Sequence, residues 1–231
     1  MSTMFNNIYK NKNVLVTGHT GFKGSWLVLW LNELGANVIG YALDPPAKPN
    51  HYELLKLNIN SIIADIRDRE KLNQTIIKYK PEIVFHLAAQ PLVRYSYKEP
   101  LETFDVNFNG TLNLLEACRK FESIKSIVII TSDKAYENKE LDLAFKETDP
   151  MGGYDPYSCS KGCVELLVNS YRNSFFNPSE YKTKHNKLMC SARAGNVIGG
   201  GDWASDRLIT DIIRNIENNR ELKVRNPNAT R

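Results

Sequence analysis

The sequence predicts an α/β fold, a Rossmann-type doubly wound parallel sheet, and three observations favour it. Short apolar runs alternate along the chain with longer segments of helical periodicity. The apolar runs are nearly continuous, which is typical of parallel strands that helices cover on both faces. A glycine-rich turn lies between the first apolar run and the first helical segment, as is usual where such a sheet begins.

Six apolar runs predict six strands. The second run ends at Asp44-Pro45-Pro46, because a proline cannot donate a hydrogen bond to a strand ladder. Polar or helical segments bound the other runs. In chain order the strands are expected at residues 13–17, 37–43, 61–64, 83–88, 126–131 and 187–192.

Segments of helical periodicity predict five helices. Gly35 fits the C-terminal stop of the first helix. In the third, Val106, Leu112 and Leu115 are roughly helically spaced, although Gly110 lowers the local helix propensity. The helices are expected at about residues 24–34, 67–79, 101–121, 157–176 and 206–217.

The pattern changes from Arg193 onward. A glycine-rich loop is followed by the last helix and by a short apolar segment over residues 222–225 that predicts a strand. One helix and one strand cannot bury a core of their own. We therefore expect residues 1–192 to form one domain and residues 193–231 to be the start of a smaller, incomplete subdomain.

The composition argues against several classes of protein. The 231 residues carry a formal net charge of +4 without a dense basic run, so no nucleic-acid partner is expected. The longest apolar stretch, Trp26–Leu31, is too short to cross a membrane. Four cysteines without CxxC spacing and four scattered histidines favour reduced thiols in a cytoplasmic protein without a metal site.

The glycine-rich turn predicts a dinucleotide site. Gly18, Gly21 and Gly24 form a GxxGxxG motif between a strand and a helix. Glycines permit a tight turn and let the backbone N–H groups of residues 20–23, at the helix N-terminus, approach the pyrophosphate of a cofactor. The alternative is a glycine-rich turn that binds no ligand.

Two acids follow the strands beside this turn. Asp44, at the end of the second strand, lies where an acid binds the adenosine ribose and repels the extra phosphate of NADP, which favours NAD. Its alternative is a simple Asp-Pro turn. Asp65, after the third strand, is placed to reach the adenine amino group, or else to cap the helix expected from Arg67.

A second motif predicts acid–base chemistry. Tyr157 and Lys161 lie one helical turn apart, so the lysine ammonium is expected to stabilise the tyrosine phenolate and to lower the pKa of the tyrosine. Ser132 ends the fifth strand, at the carboxyl edge of the sheet where ligands of such folds bind. A YxxxK spacing alone is common on helices, and the glycine turn and Ser132 make it specific.

Taken together, these motifs resemble the extended short-chain dehydrogenase/reductase family. The resemblance rests on GxxGxxG, on HLAA at residues 86–89, on Thr131-Ser132-Asp133 and on YxxxK, and it covers essentially the whole chain. It is greatest to the sugar-nucleotide 4,6-dehydratases. Within that group TGHTGFKGSWL, AAQPLVRYSYKEP, TSDKAYENKE and GNVIGGGDWA resemble the branch that acts on CDP-glucose.

The resemblance implies an enzyme with bound NAD, a hydro-lyase that supplies deoxysugars for surface polysaccharide such as O-antigen. Tyr157 is then the base for the sugar 4-hydroxyl, Lys161 holds the nicotinamide ribose, and Ser132 binds the reacting oxygen. Asp133 is the acid for the C6 hydroxyl. Lys134 replaces the glutamate that follows this aspartate in dTDP-glucose dehydratases, so its role as C5 base or enolate stabiliser stays open.

Further site residues follow from the resemblance alone. The alternative role of Phe22 is a core position, and that of Asn107 is a contact with backbone only. For each expected substrate residue the alternative is a solvated residue in a loop. The expected cofactor contacts, beyond the glycines, the two acids, Tyr157 and Lys161, are Thr20, Phe22, Lys23, Ile66, Leu87, Ala88, Ala89 and Asn107. The expected substrate contacts are Gln90, Arg94, Asn196 and Arg207.

The resemblance also bears on assembly and on alternatives. Family members pair as homodimers through two long helices, here residues 101–121 and 157–176. They continue beyond the position of Arg231, so the chain is expected to lack part of the substrate-binding subdomain.

One alternative function is a nucleotide-sugar epimerase or reductase of the same family. The other is a non-catalytic NAD-binding module, although such proteins usually lack the tyrosine or lysine of YxxxK.

Overall fold

The computed structural model describes residues 4–140, 144–204, 206–221 and 224, and it forms a single parallel sheet covered by helices. The six strands lie in the order β3-β2-β1-β4-β5-β6, and every neighbouring pair is parallel. The predicted fold class is confirmed. The strands are β1 (Asn13–Thr17), β2 (Asn37–Ala42), β3 (Asn60–Ile63), β4 (Ile83–His86), β5 (Ser126–Ile130) and β6 (Leu188–Ala192).

The helices agree with the predicted ones within a few residues, and five short helical segments of the described residues were not predicted. The segments missed are α2, α4 and the 3-10 turns at Met4–Asn7, Asp133–Ala135 and Pro178–Glu180. No helix of the described residues combines the length and apolar character needed to cross a bilayer. The helices are α1 (Phe22–Glu33), α2 (His51–Leu55), α3 (Arg69–Tyr79), α4 (Val93–Lys98), α5 (Pro100–Phe104), α6 (Gly110–Lys120), α7 (Pro156–Phe175) and α8 (Leu208–Glu217).

The helix expected over residues 101–121 is interrupted. It consists of α5, a π-helical turn at Asp105–Asn109, and α6. Thr111 donates a hydrogen bond of 2.6 Å to the carbonyl of Asn107 within this stretch. The wider turn leaves the Asn107 side chain buried, where it binds groups outside the helix. The strand expected over residues 222–225 lies outside the described residues, apart from Val224.

Alternate residues of the strands face two separate cores. In β1, Val14 and Val16 pack with Val28 and Leu31 of α1, whereas Leu15 belongs to the larger core under α3, α6 and α7. Burying one such side chain stabilises the fold by about 1.5–3 kcal/mol. Helices therefore cover both faces, as the continuous apolar strands predict, and the carboxyl ends of all six strands meet at one edge.

A buried lysine closes the end of α6. The Nζ atom of Lys187, whose side chain is 3% exposed, donates to the carbonyls of Cys118 (2.8 Å), Arg119 (3.1 Å) and Phe121 (3.0 Å). Burial lowers the pKa of Lys187, and Glu122 nearby opposes that shift. These carbonyls have no partner within the helix, so the ammonium satisfies them and places α6 against the start of β6.

We expect Lys187→Met to destabilise the protein by about 2 kcal/mol, because three helix-end carbonyls lose a charged donor while the apolar stem is kept. Lys71→Met is the matched control, since Lys71 is exposed on α3, and its effect should stay within about 0.5 kcal/mol. Urea unfolding followed by circular dichroism measures both. Equal midpoints for the two variants would contradict the role given to Lys187.

Candidate active site

The glycine turn after β1 is closed so tightly that no side chain fits at two of its positions. Gly18 has a φ of 74°, and a Cβ atom there would lie 2.7 Å from the backbone nitrogen of Ala88. A Cβ atom at Gly24 would lie 2.0 Å from the carbonyl oxygen of Gly18. The N-terminus of α1 has no side-chain cap, so its N–H groups stay available to an anion.

A cleft of about 330 Å³ opens above this turn at the carboxyl edge of the sheet. The segment after β6 forms its far wall through Asp202, Trp203 and Arg207, of which only Arg207 was predicted as a site residue. The structure brings most of the predicted cofactor residues together here. They are Gly18, Thr20, Gly21, Phe22, Lys23, Gly24, Asp44, Asp65, Ile66, Leu87, Ala88 and Ala89.

The two predicted acids both line the cleft, in different states. Asp44 is exposed at the end of β2. Asp65 is paired with Arg67 at 2.6 Å, and the hydrogen bond from Arg67 holds the pKa of Asp65 below its usual value. Asp65 is not the helix cap: Asp68 caps α3 by accepting from the backbone nitrogen of Lys71 at 2.9 Å. The cap alternative for Asp65 was wrong because the helix begins two residues later than expected.

The predicted catalytic residues meet where β5 and α7 approach each other. Ser132 follows β5, caps a single 3-10 turn, and donates a hydrogen bond of 3.0 Å to Asp133. Tyr157 is buried in the first turn of α7, close enough to Ser132 for the serine hydroxyl to act on the tyrosine pKa. Lys161 is buried one turn further along α7. Asp155 fixes the start of that helix by accepting from the backbone nitrogen of Ser158 at 3.0 Å.

The electrostatics of this set differ from the expectation. Burial raises the pKa of Tyr157, and the hydrogen bond with Ser132 only partly opposes the shift. Burial, together with the positive charge of Lys23, lowers the pKa of Lys161 to about 8. The predicted lowering of the tyrosine pKa is therefore absent, because the cost of placing a phenolate in a buried position exceeds the effect of the nearby cations.

Positive charge gathers between the cleft and the catalytic residues. Burial lowers the pKa of Lys23, and Arg207 lowers it further, whereas Asp133 raises it. Arg207 also lowers the pKa of Tyr157, and Lys23 acts on Lys161. Three cations, Lys23, Lys161 and Arg207, thus lie in one region, where the carboxylates of Asp133 and Glu165 oppose part of their effect on one another. The arrangement suits an anionic ligand such as a diphosphate.

Asn107 has the structural role that was its alternative. Its amide accepts from the backbone nitrogen of Gln90 at 2.8 Å and donates to the carbonyl of the same residue at 3.1 Å. It also donates to Ser160 on α7 at 2.9 Å. The Asn107 side chain therefore joins the loop after β4 to α7, and a direct cofactor contact stays a prediction.

The structure places the four predicted substrate residues in different surroundings, and a substrate contact of each stays a prediction. The Gln90 side chain donates to Thr103 of α5 at 2.8 Å and accepts from the backbone of Leu92 at 2.6 Å, so it joins its own loop to α5. Arg94 is exposed and paired with Asp206 at 3.0 Å, and the next residue, Arg207, lines the cleft 3.4 Å from Asp202. Asn196 is exposed and is not among the residues that line the cleft.

Sequence reasoning missed one buried acid beside the catalytic set. Glu165 is 5% exposed and binds Thr131, which immediately precedes Ser132. A signal was present, because Tyr157, Lys161 and Glu165 follow one another at intervals of four residues on one face of α7. The partners of the acid come from other strands, and only the folded structure identifies them.

Comparisons with known proteins agree with this geometry. A family model described as GDP-mannose 4,6 dehydratase matches residues 15–231. A CDP-glucose 4,6-dehydratase of Salmonella typhimurium is 57% identical over 227 residues, which are 97% of this chain and 63% of that protein. The chain therefore spans less than two thirds of the length of this relative.

Solved structures show the same fold. A UDP-glucose 4-epimerase of Thermotoga maritima, solved with UDP-glucose, has a TM-score of 0.78 at 26% identity, and the match covers 91% of this chain and 64% of that one. A UDP-glucose 4-epimerase of Thermus thermophilus, solved with NAD, has a TM-score of 0.69 at 30% identity, over 84% and 58%. With the family model matching nearly its whole length, the chain belongs to the GDP-mannose 4,6 dehydratase family, a group of extended short-chain dehydrogenases/reductases.

Proposed function

We propose that the protein is an NAD-dependent hydro-lyase that converts CDP-glucose to CDP-4-keto-6-deoxyglucose. The observation that carries the proposal is that buried Tyr157 and Lys161, one turn apart on α7, lie close to Ser132 and to the Asp133 that Ser132 binds. A base for a hydroxyl and a separate carboxyl acid are what oxidation followed by elimination of water requires. The high identity to a CDP-glucose 4,6-dehydratase supports the choice of sugar and base.

The cleft fits the adenosine and pyrophosphate portions of NAD. The turn is so tight that a Cβ atom at Gly18 or Gly24 would collide with backbone atoms, and the uncapped N-terminus of α1 beside it offers N–H groups to a diphosphate. Asp44 lines the same cleft and would bind the adenosine ribose. NAD+ bound here would supply a hydride acceptor for sugar C4 and the same hydride for C6, so each turnover would consume no external oxidant or reductant. The glycine turn, the carboxylate of Asp44 and the positively charged side chains near the cleft all favour this cofactor.

Three residues serve the oxidation. Tyr157 removes the proton of the sugar 4-hydroxyl, and Ser132, hydrogen-bonded to it, orients the reacting oxygen. Lys161 keeps a positive charge beside the phenolate that forms, which offsets the cost of burying that charge. The resulting 4-ketone acidifies the proton at C5.

The elimination then needs an acid at C6 and a base at C5. Asp133, next to Ser132, is positioned to protonate the leaving hydroxyl. Lys134 follows in the same 3-10 turn and is half-buried, so it serves either as the C5 base in its neutral form or as a cation that stabilises the enolate. An epimerase has no leaving hydroxyl and needs no such acid, which is why Asp133 favours the dehydratase.

We also propose a homodimer and a cytoplasmic location. Leu101 of α5 and Leu166 of α7 are 87% and 61% exposed, and both lie on the helices that pair in the family. Covering such side chains would remove apolar area from water. The four cysteines are free thiols, which suits a reducing compartment.

Asp44, the acid proposed to bind the adenosine ribose, decides the choice between NAD+ and NADP+. We expect NAD+ to bind at least about tenfold more tightly, because Asp44 repels the additional phosphate of NADP+. Asp44→Asn should narrow that ratio mainly by improving NADP+ binding. Calorimetric titration of both proteins with both cofactors measures it, and an unchanged ratio in the variant would place Asp44 outside the site.

The tyrosine is expected to serve chemistry rather than binding. Tyr157→Phe keeps the ring and deletes the ionisable oxygen, so hydride transfer should fall about 100- to 10,000-fold while the affinity for NAD+ changes little. Stopped-flow measurement of hydride transfer and NAD+ titration test the two halves separately. Normal turnover in the variant would remove Tyr157 from the mechanism.

A variant of Asp133, the proposed acid, distinguishes a dehydratase from an epimerase. Asp133→Asn keeps the size and hydrogen bonding of the side chain but cannot deliver a proton, so oxidation at C4 should continue while elimination slows by about 100-fold or more. Reduced nicotinamide should then accumulate in a single turnover and absorb in the near ultraviolet. Wild-type protein should show little of it.

Product analysis of the wild type decides the function itself. Incubation with CDP-glucose and NAD+ should give the 4-keto-6-deoxy sugar, detected by mass spectrometry and NMR, and dTDP-glucose and UDP-glucose are the comparison substrates. A C4 epimer without deoxy sugar would overturn the dehydratase proposal. Normal elimination in Asp133→Asn would instead move the acid role elsewhere, with protonated Lys134 as the next residue to test.

A further inference from the structure

A single buried carboxylate joins α7 to the ends of two strands. Glu165 accepts hydrogen bonds from the Thr131 hydroxyl, from the Ser191 hydroxyl at 2.7 Å and from Arg193 at 2.9 Å. Thr131 follows β5, Ser191 lies in β6, and Arg193 directly follows β6. The acid therefore holds three neighbouring backbone segments at fixed distances from the helix.

These segments carry the two halves of the candidate catalytic set. Thr131 immediately precedes Ser132 and Asp133, which come from the β5 side. Tyr157 and Lys161 come from α7, two turns and one turn before Glu165. A displacement of one half relative to the other changes the distance between the base and the groups that orient the sugar.

We propose that Glu165 is a positioning residue for this reaction, holding Ser132 in register with Tyr157 through Thr131 and keeping a negative charge one helical turn from Lys161. The inference rests on the proposed function for its catalytic consequence. The geometry on which it stands, a buried carboxylate bonded to Thr131, Ser191 and Arg193, is independent of the substrate.

The carboxylate is held in its charged form. Burial raises the pKa of Glu165, but the hydrogen bonds from Arg193, Thr131 and Ser191 outweigh burial, so the pKa lies below its usual value. Arg193 also donates to the Tyr136 hydroxyl at 2.8 Å and to the carbonyl of Glu147 at 3.1 Å. The ion pair thus extends the same restraint to the chain that follows Asp133.

The negative charge of Glu165 raises the pKa of Lys161. The charged groups that act on the pKa of Lys161 are Lys23 on α1 and Glu165 on α7, and Tyr157 lies one turn away. Lys161 in turn lowers the pKa of His86 on β4. Burial and Lys23 lower the pKa of Lys161, and Glu165 raises it. Removing the acid lowers that pKa further, so the ammonium beside Tyr157 is lost at a lower pH than in the wild type.

The test separates stability from positioning. Glu165→Gln alone leaves Arg193 without its carboxylate and can unfold the protein, so the informative variant is Glu165→Gln with Arg193→Gln, which removes both charges and keeps hydrogen-bonding groups. The matched control is Glu116→Gln. Glu116 binds Arg119 at 2.8 Å and accepts from Tyr171 on α7 at 2.7 Å, far along the helix from the catalytic turn.

Two readouts are measured after thermal unfolding has shown that each protein folds. The first is single-turnover hydride transfer with CDP-glucose, and the second is the titration of Lys161 followed by its side-chain 13C signal, which needs no substrate. The double variant should transfer hydride about 10- to 100-fold more slowly with little change in KM. Its Lys161 should titrate at lower pH, and the alkaline limb of its pH–rate profile should shift the same way. Glu116→Gln should match the wild type in both readouts.

A second variant isolates the contact through Thr131. Thr131→Val keeps the branched shape and loses only the hydroxyl, so hydride transfer should fall about tenfold while Lys161 titrates as in the wild type. Wild-type rates in the folded double variant or in Thr131→Val would overturn the positioning role. If wild-type protein does not act on CDP-glucose, the proposed function fails, and an unchanged Lys161 titration in the double variant would independently overturn the charge role.

Discussion

The hydrogen bond between Thr17 and His86 holds the sheet together where its strand order reverses. The Thr17 hydroxyl lies 2.7 Å from Nδ1 of His86 and accepts from the backbone nitrogens of Leu87 and Ala88, both at 3.2 Å. Because the hydroxyl has one proton and already accepts twice, it donates to the imidazole. The carboxyl ends of β1 and β4 are thereby fixed, and the cleft opens between them, as it does at the switch point of such sheets.

This bond begins a buried chain that reaches the catalytic helix. With Nδ1 accepting, Nε2 of His86 donates to Thr111 at 3.0 Å, and Thr111 donates to the carbonyl of Asn107. Asn107 in turn donates to Ser160 on α7. Burial lowers the pKa of His86 to about 3, so the imidazole stays neutral and the direction of the chain does not change across the physiological pH range. The cofactor cleft and Tyr157 are therefore parts of one rigid network.

Local signals made much of this structure predictable, and interactions between distant segments account for the rest. The first strand has the predicted bounds, Asn13–Thr17, because a short apolar run before a glycine turn has few alternatives. The π-helical turn at Asp105–Asn109 depends on what Asn107 binds outside its helix, and periodicity cannot reveal that. The pKa of Tyr157 was misjudged for a similar reason: spacing reveals a nearby lysine, whereas burial depends on the whole fold. The motifs predicted the candidate catalytic residues, which the fold brings close to one another, and only tertiary packing identified Glu165 beside them.

Burial raises the pKa of Tyr157 and lowers the pKa of Lys161, and the cations that suit the cleft to an anion act on both groups. Arg207 lowers the pKa of Lys23 and of Tyr157, and Lys23 lowers the pKa of Lys161, in a buried region where little water screens these charges. By linkage, a diphosphate that raises the pKa of Lys161 must bind more tightly when Lys161 is charged. The same coupling therefore increases affinity for the anion and restores the ammonium beside Tyr157. The charges that suit the cleft to an anion thus also set the ionisation of Lys161, one helical turn from Tyr157.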